Sequence, residues 1–223
     1  KPPAVALMAV PVYAAEVALG LRFSNDLPRS YYWTTLLTIG LSTLIGLAVL
    51  ARFLRHLVPD ARWRALAALG LGLGSLLTVY GITFSNHPPS ATLLLLGVLA
   101  VWSWRRFGAG IGVLAAGGLL TGIAATADHG AAFYAPFLAL YVAWPGAPRR
   151  AAAVPVLAGT MAIPIAAYAA YAYALSGSPM PLPLQPRLFD YPGSYWAAST
   201  GNLPGSSFAH ASVRDFLAYA WLC

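Results

Sequence analysis

Acidic residues are nearly missing from this chain: six Asp and Glu stand among 223 residues, against 13 Lys and Arg. Charged residues of both signs make up 9% of it, where a soluble globular domain carries about 25%. That shortage excludes an ordinary soluble domain and points to a membrane protein. Cysteine is almost as scarce: Cys223, the last residue, stands alone, so no disulfide framework exists within the chain. No two histidines have metal-ligand spacing on one helix, which gives no indication of a zinc site or other divalent-metal cofactor. A nucleophile elbow and a phosphate-cradling Gly-Lys loop are also missing. The net charge of +7 does not imply nucleic acid, because the basic residues sit in short clusters between long apolar runs.

Those apolar runs dominate the rest. A membrane-spanning helix needs about 20 apolar residues, and the sequence predicts six spans: Tyr31–Ala51, Ala65–Phe84, Pro88–Trp104, Phe107–Ala127, Gly130–Trp144 and Ala151–Leu175. Residues 1–30 read as an outer-face segment, 176–210 as a long outer loop, and 211–223, with "DFLAYAWLC", as the start of a truncated seventh span. The expected fold is thus all-α, a polytopic transmembrane helix bundle in one domain. The prolines at 2, 3 and 11 interrupt the first apolar run and argue against a signal peptide. With no initial methionine and an apolar end, the chain reads as an internal fragment.

Charge orients the bundle. If spans alternate, the loops 52–64, 105–106 and 149–150 share one side and hold eight arginines and one acid. The other side balances five basic residues (Lys1, Arg22, Arg29, Arg187, Arg214) against five acids (Glu16, Asp26, Asp128, Asp190, Asp215). Arginine-rich short loops stay cytoplasmic. Lys1, "SNHPPS", Asp128-His129 and the 176–210 loop therefore belong to the outer face. Glycines four apart (Gly70 and Gly74, Gly108 and Gly112, Gly118 and Gly122) predict close helix contacts in lipid. "GLGLGS" follows no strand, so it reads as packing and not as a nucleotide loop.

The polar groups at the outer ends are the candidates for chemistry. In "SNHPPS", Ser85 or Asn86 caps a helix and Pro88 and Pro89 fit its first turn. His87 is not needed for that; it suits a phosphate or a proton, or else simply sits among wet headgroups. Asp128-His129 marks an interface if solvated and a functional site if drawn inward. The loop "SGSPMPLPLQPRLFDYPGSYWAASTGNLPG" is long enough to be a binding loop. There Arg187 suits a phosphate, and Tyr191, Tyr195 and Trp196 suit either sugar stacking or an aromatic belt. Lys1 of "KPP" is a point charge suited to a lipid phosphate.

"KPP", then "GITFSNHPPSATLLLLGVL", "GLLTGIAATADHGAAFYAPFLALYVAW" and "YAYALSGSPMPLPL", resemble the GT-C class of membrane glycosyltransferases. Within it they resemble the dolichyl-phosphate-mannose-protein mannosyltransferase-like group, which includes the aminoarabinose transferases of lipid A. The resemblance covers most of the chain through the order of features. It implies transfer of a sugar from a polyprenyl-phosphate donor to a lipid, glycan or protein acceptor, on the extracytoplasmic face of a bacterial inner membrane. It assigns Lys1 to the donor phosphate, with His87 and Arg187 as further donor-phosphate ligands. Asn86, Asp128 and His129 form a polar site by their outer-face position. An acid upstream of "KPP" would be the general base, so the chain beginning at Lys1 is expected to be inactive alone. Rival expectations are a transporter or lipid flippase, and a structural membrane subunit without chemistry.

Overall fold

The structure, a computed structural model, describes residues 3–146, 150–182 and 185. Their secondary structure is helical, and no strand occurs among the described residues. The all-α expectation therefore holds. The chain divides into two compact units, Lys1–Tyr171 and Ala172–Cys223.

In the first unit, α1 (Pro3–Ala18) occupies much of the segment expected to lie on the outer face. It pairs with α2 (Leu27–Thr35), whose Asp26 cap accepts a hydrogen bond from the Arg29 backbone N–H at 3.2 Å. α2 runs without interruption through one π-helical turn (Leu36–Gly40) into α3 (Leu41–Phe53) and a closing 3₁₀ turn (Leu54–His56). The expected second span is not one helix. α4 (Ala61–Leu73) stops at Gly74, and α5 (Leu76–Gly81) restarts with Ser75 as its cap. Each Gly costs about 1 kcal/mol in a helix relative to Ala, and three of them at 70, 72 and 74 precede a residue that favours a new N-terminus. Ser75 Oγ accepts from the Leu77 N–H and donates to the Leu71 carbonyl, which stabilises the break.

α6 (His87–Phe107) begins with both prolines in its first turn and ends at Gly108, whose φ of 65° lies in the left-handed region. α7 (Ile111–Ala127) returns antiparallel to it. A 3₁₀ turn (His129–Phe133), α8 (Tyr134–Ala143) and α9 (Arg150–Ser176) follow. The core joins α6 to α9 through Val101, Trp104, Leu114, Leu138, Val142 and Leu157. A second cluster, Val5, Ile39 and Ala127, fixes α1 against the π turn and the end of α7.

The predicted glycine contacts divide. A methyl group on Gly118 would collide with the Leu157 carbonyl and Thr160, and one on Gly122 with the Met161 carbonyl and Pro164, so this pair seats α9 on α7. Gly70 and Gly112 have open space, Gly74 ends a helix and Gly108 is a cap; these pairs do not pack helices. Gly97 and Gly117, which do bring α6 and α7 together, lie 20 apart and escape a four-residue spacing rule. In the second unit, Ser176 Oγ donates to the Ala172 carbonyl at 2.8 Å as the helix ends, and Gly177 turns the chain at φ 69°.

Two helical stretches, Leu27–His56 and Ala151–Ser176, have the length and apolarity to cross a membrane. Pro3–Ala18, Ile111–Ala127 and His129–Ala143 are apolar but shorter. Six full spans are thus more than the described helices establish by length and apolarity. The expected seventh span lies outside the described residues.

Candidate functional site

The α6–α7 hairpin brings together three of the polar residues singled out from sequence, Asn86, His87 and Asp128. His87 opens α6 and Asp128 closes α7. His87 Nδ1 lies 2.5 Å from Asp128 Oδ2. An ionised carboxylate only accepts, so Nδ1 then carries the proton and Nε2 is left for a proton or a ligand. The other oxygen, Asp128 Oδ1, accepts from the Gly130 N–H at 3.1 Å and caps the 3₁₀ turn. The pair is open to its surroundings: the His87 side chain is 50% exposed and that of Asp128 25%. The Tyr80 ring lies 4.7 Å from the imidazole and limits its rotation.

Asn86 does not cap α6 with its side chain. Its Nδ2 donates instead to the Ala127 carbonyl at 3.1 Å, across the hairpin. Ser85 Oγ accepts from the His87 N–H at 3.4 Å and serves as the weak cap. One turn deeper, buried Ser90 donates to the Ala124 carbonyl at 2.9 Å. The Asn86 bond satisfies a carbonyl in the last turn of α7, and the Ser90 bond adds a second donor to the Ala124 carbonyl, which already accepts from the Asp128 N–H at 2.8 Å. They also hold His87 opposite Asp128.

His129 points the other way, toward α9, with its ring 5.8 Å from that of Tyr168. Its Nε2 is buried without a hydrogen-bond partner among the described residues. Burial pushes the imidazole below its ordinary pKa, while the neighbouring Asp128 charge works in the opposite direction. His129 is thus a neutral, largely enclosed group and separate from the His87–Asp128 pair.

Beside the pair opens a cleft of about 230 Å³ lined by Pro3, Val5, Phe84, Ser85, Asn86 and Tyr171. Phe84 also lines a wider apolar groove of about 510 Å³ between α1 and α2, walled by Val10, Tyr13, Phe23, Leu27 and Tyr31. A polar hairpin end and an apolar groove therefore meet at one residue.

Above this groove lies a group that sequence reasoning passed over. Glu16 is 4% exposed within the otherwise apolar α1. Its carboxylate accepts from Ser30 Oγ at 2.5 Å and Thr34 Oγ1 at 2.8 Å. The available signal was a lone acid in an apolar helix, four residues apart from neither partner in sequence. Its partners on α2, Ser30 and Thr34, are themselves one turn apart.

Lys1, Arg187, Tyr191, Tyr195 and Trp196 lie outside the described residues. Among the described residues, no three His, Cys, Asp or Glu side chains are placed to hold a metal ion. No protein family, curated protein or solved structure compared with the chain matches it.

Proposed function

We propose that this chain is part of a polytopic membrane glycosyltransferase. It moves a sugar from a polyprenyl-phosphate donor to a lipid, glycan or protein acceptor on the extracytoplasmic face of a bacterial inner membrane. The observation that carries this reading is the junction of a polar site with an apolar groove at Phe84. A lipid-linked phosphate needs both: a polar anchor for its head and an apolar channel for its chain. Asp128 accepts from His87 Nδ1–H and orients the ring, so that Nε2, carrying a proton of its own, donates to the donor phosphate. Lys1 precedes Pro3 by two residues, and Pro3 lines the cleft. Charge on the departing phosphate is stabilised by groups held in place before reaction.

The membrane setting has its own support. Only 22% of the most apolar stretch of Leu27–His56 and of Ala151–Ser176 is buried, whereas the core helix of a soluble protein is mostly covered. α6 is 21 residues long, about 30 Å at 1.5 Å per residue. It separates His87 at one end from Arg105 and Arg106 at the other by about one hydrocarbon thickness. Six spans follow if the shorter apolar helices cross as well.

One observation favours the transporter reading: the break between α4 and α5, since transporters often carry discontinuous helices. The cleft of about 200 Å³ that Leu71 and Leu77 line at the break, against Thr43, Leu47, Thr92 and Leu95, holds no ionisable group, however.

The test is sugar transfer in membranes carrying the full-length protein, with a radiolabelled polyprenyl-phosphate sugar as donor. His87→Ala is expected to lower donor-dependent transfer at least tenfold. Transfer that is unchanged in His87→Ala and Asp128→Asn removes the assignment of this site.

A further inference from the structure

The opposite end of the bundle holds a second cleft, of about 380 Å³, where α3 meets α6 and α7. Its walls are aromatic. Trp102 stands at the centre, nearly perpendicular to Phe53 at 5.1 Å and to Phe107 at 5.0 Å. The His56 ring lies 5.5 Å from Trp102 and 6.1 Å from Phe107. Its lining is basic and polar at Arg52, His56 and Ser103 and apolar at Leu99 and Val113.

The charge at this end is not neutralised. Arg64 donates to the Val58 and Pro59 carbonyls, and Arg105 to the Tyr141 and Pro145 carbonyls. Arg52, Arg55 and Arg106 form no ion pair among the described residues. Asp60 is the only acid in the 52–64 and 105–106 loops, against six arginines; its Oδ1 accepts from the Arg62 N–H at 2.7 Å. The indole N–H of Trp102 makes no hydrogen bond among the described residues.

We infer that this cleft binds the headgroup of an anionic phospholipid. Arg52 and His56 meet the phosphate, Trp102 sits at the level of the glycerol esters and donates its N–H there, and the acyl chain continues over Leu99 and Val113. Basic clefts between helices on the cytoplasmic side suit such headgroups, and tryptophan favours that depth. Unpaired arginines around the cleft supply the charge complement. The inference rests on the membrane reading but not on the proposed transfer chemistry.

The experiment is native mass spectrometry of the full-length protein from mixed micelles of phosphatidylglycerol and phosphatidylcholine. Alkaline carbonate extraction of the same membranes runs alongside. Wild type is expected to stay in the carbonate-resistant membrane and to retain phosphatidylglycerol at least fivefold over phosphatidylcholine. Arg52→Ala and Trp102→Ala should bring that ratio near one. Arg62→Ala removes the same charge from an exposed position off the cleft and should leave the ratio unchanged. Equal retention of both lipids by a membrane-resident wild type overturns the inference alone. An equal fall in Arg52→Ala and Arg62→Ala also overturns it, by making the effect one of general surface charge. Displacement of the lipid by free glycerol phosphate overturns it in favour of a soluble ligand. Extraction of the chain by carbonate overturns this inference and the membrane reading together.

Discussion

His87 Nδ1 and Asp128 Oδ2 stand 2.5 Å apart, joining the start of α6 to the end of α7 across 41 residues of sequence. The same carboxylate caps the next turn through Gly130, so it has two separable tasks. Asp128→Asn keeps an acceptor for the Gly130 N–H but offers His87 a donor, so Nδ1 must accept and the ring can no longer be protonated on both nitrogens while Nε2–H faces the phosphate. The expected outcome is a loss of donor-dependent transfer of at least tenfold, with stability changed by less than about 1 kcal/mol. A thermal unfolding curve beside the transfer assay separates the two tasks. A variant that unfolds in proportion to its lost transfer would reduce Asp128 to a cap.

The α7–α9 contact rests on glycines with no room for a side chain. Gly122→Ala places a methyl group against the Met161 carbonyl and Pro164 and is expected to cost about 1–3 kcal/mol. Gly112→Ala meets nothing within 4 Å and should gain up to about 1 kcal/mol from helix propensity. Thermal unfolding in one detergent compares both variants. Equal midpoints in the two would show that the contact does not hold α9.

Much of the helical framework was legible because its signals are local. The proline pair at 88–89 marks a helix start and apolar length marks the helix bodies, whereas the caps Asp26 and Asp60, which start α2 and α4 four residues before the expected spans, were read only as charges. The membership of the site was partly legible for the same reason: Asn86, His87 and Asp128 all border apolar runs. Their pairing was not, because a bond between residues 87 and 128 depends on how α6 and α7 are aligned. That alignment comes from Gly97 and Gly117, which no fixed spacing marks. The break at Gly74 was misread as packing because composition cannot distinguish a glycine that admits a neighbour from one that ends a helix. Glu16 was overlooked since an acid in an apolar helix reads as a surface charge until its two hydroxyl partners are placed.

Acid should weaken the fold through His129. Its imidazole pKa is lowered by burial, so the unfolded chain binds the proton more readily than the folded one. Stability then rises with pH: this contribution is full above the ordinary histidine pKa of about 6.5 and is lost as pH falls toward the lowered folded value. His129→Phe keeps the ring, removes the buried unpaired nitrogen and should flatten that acid limb. Unfolding midpoints of both proteins between pH 7.5 and pH 5, an interval set roughly around that value, are the measurement. Parallel curves would place the sensitivity elsewhere.

Glu16 ties α1 to α2 through two hydroxyls in a buried setting. Hydrogen bonds to a charged group contribute about 1.5–3 kcal/mol. Glu16→Ala strands both donors and is expected to lower stability by an amount of that order, about 2 kcal/mol. Glu16→Gln retains an acceptor and should cost less. If Ser30→Ala in the Glu16→Ala background removes as much stability again, the two residues do not act together and the tie is refuted.

The direction in which α4 and α5 run decides how the chain crosses a membrane. α3 and its closing turn end at His56, beside Trp102 and Phe107 at the C-terminal end of α6. The chain must return to the opposite end before α6 begins at His87, and α4 and α5 are the segment that carries it there. If this broken segment crosses, three crossings separate Leu57 from Ala132, and the two face opposite compartments. If the helices of the α6–α7 hairpin lie flat at the surface, they share one. Cys223 is the only cysteine, so Cys223→Ser supplies a clean background for Leu57→Cys and Ala132→Cys, both at exposed positions. A membrane-impermeant maleimide applied to intact spheroplasts should label Ala132→Cys at once and Leu57→Cys only after permeabilisation. Labelling of both from the same side would remove α6 and α7 from the crossings as well as α4 and α5, and with them the expectation that the arginine-rich loops lie opposite the His87–Asp128 pair.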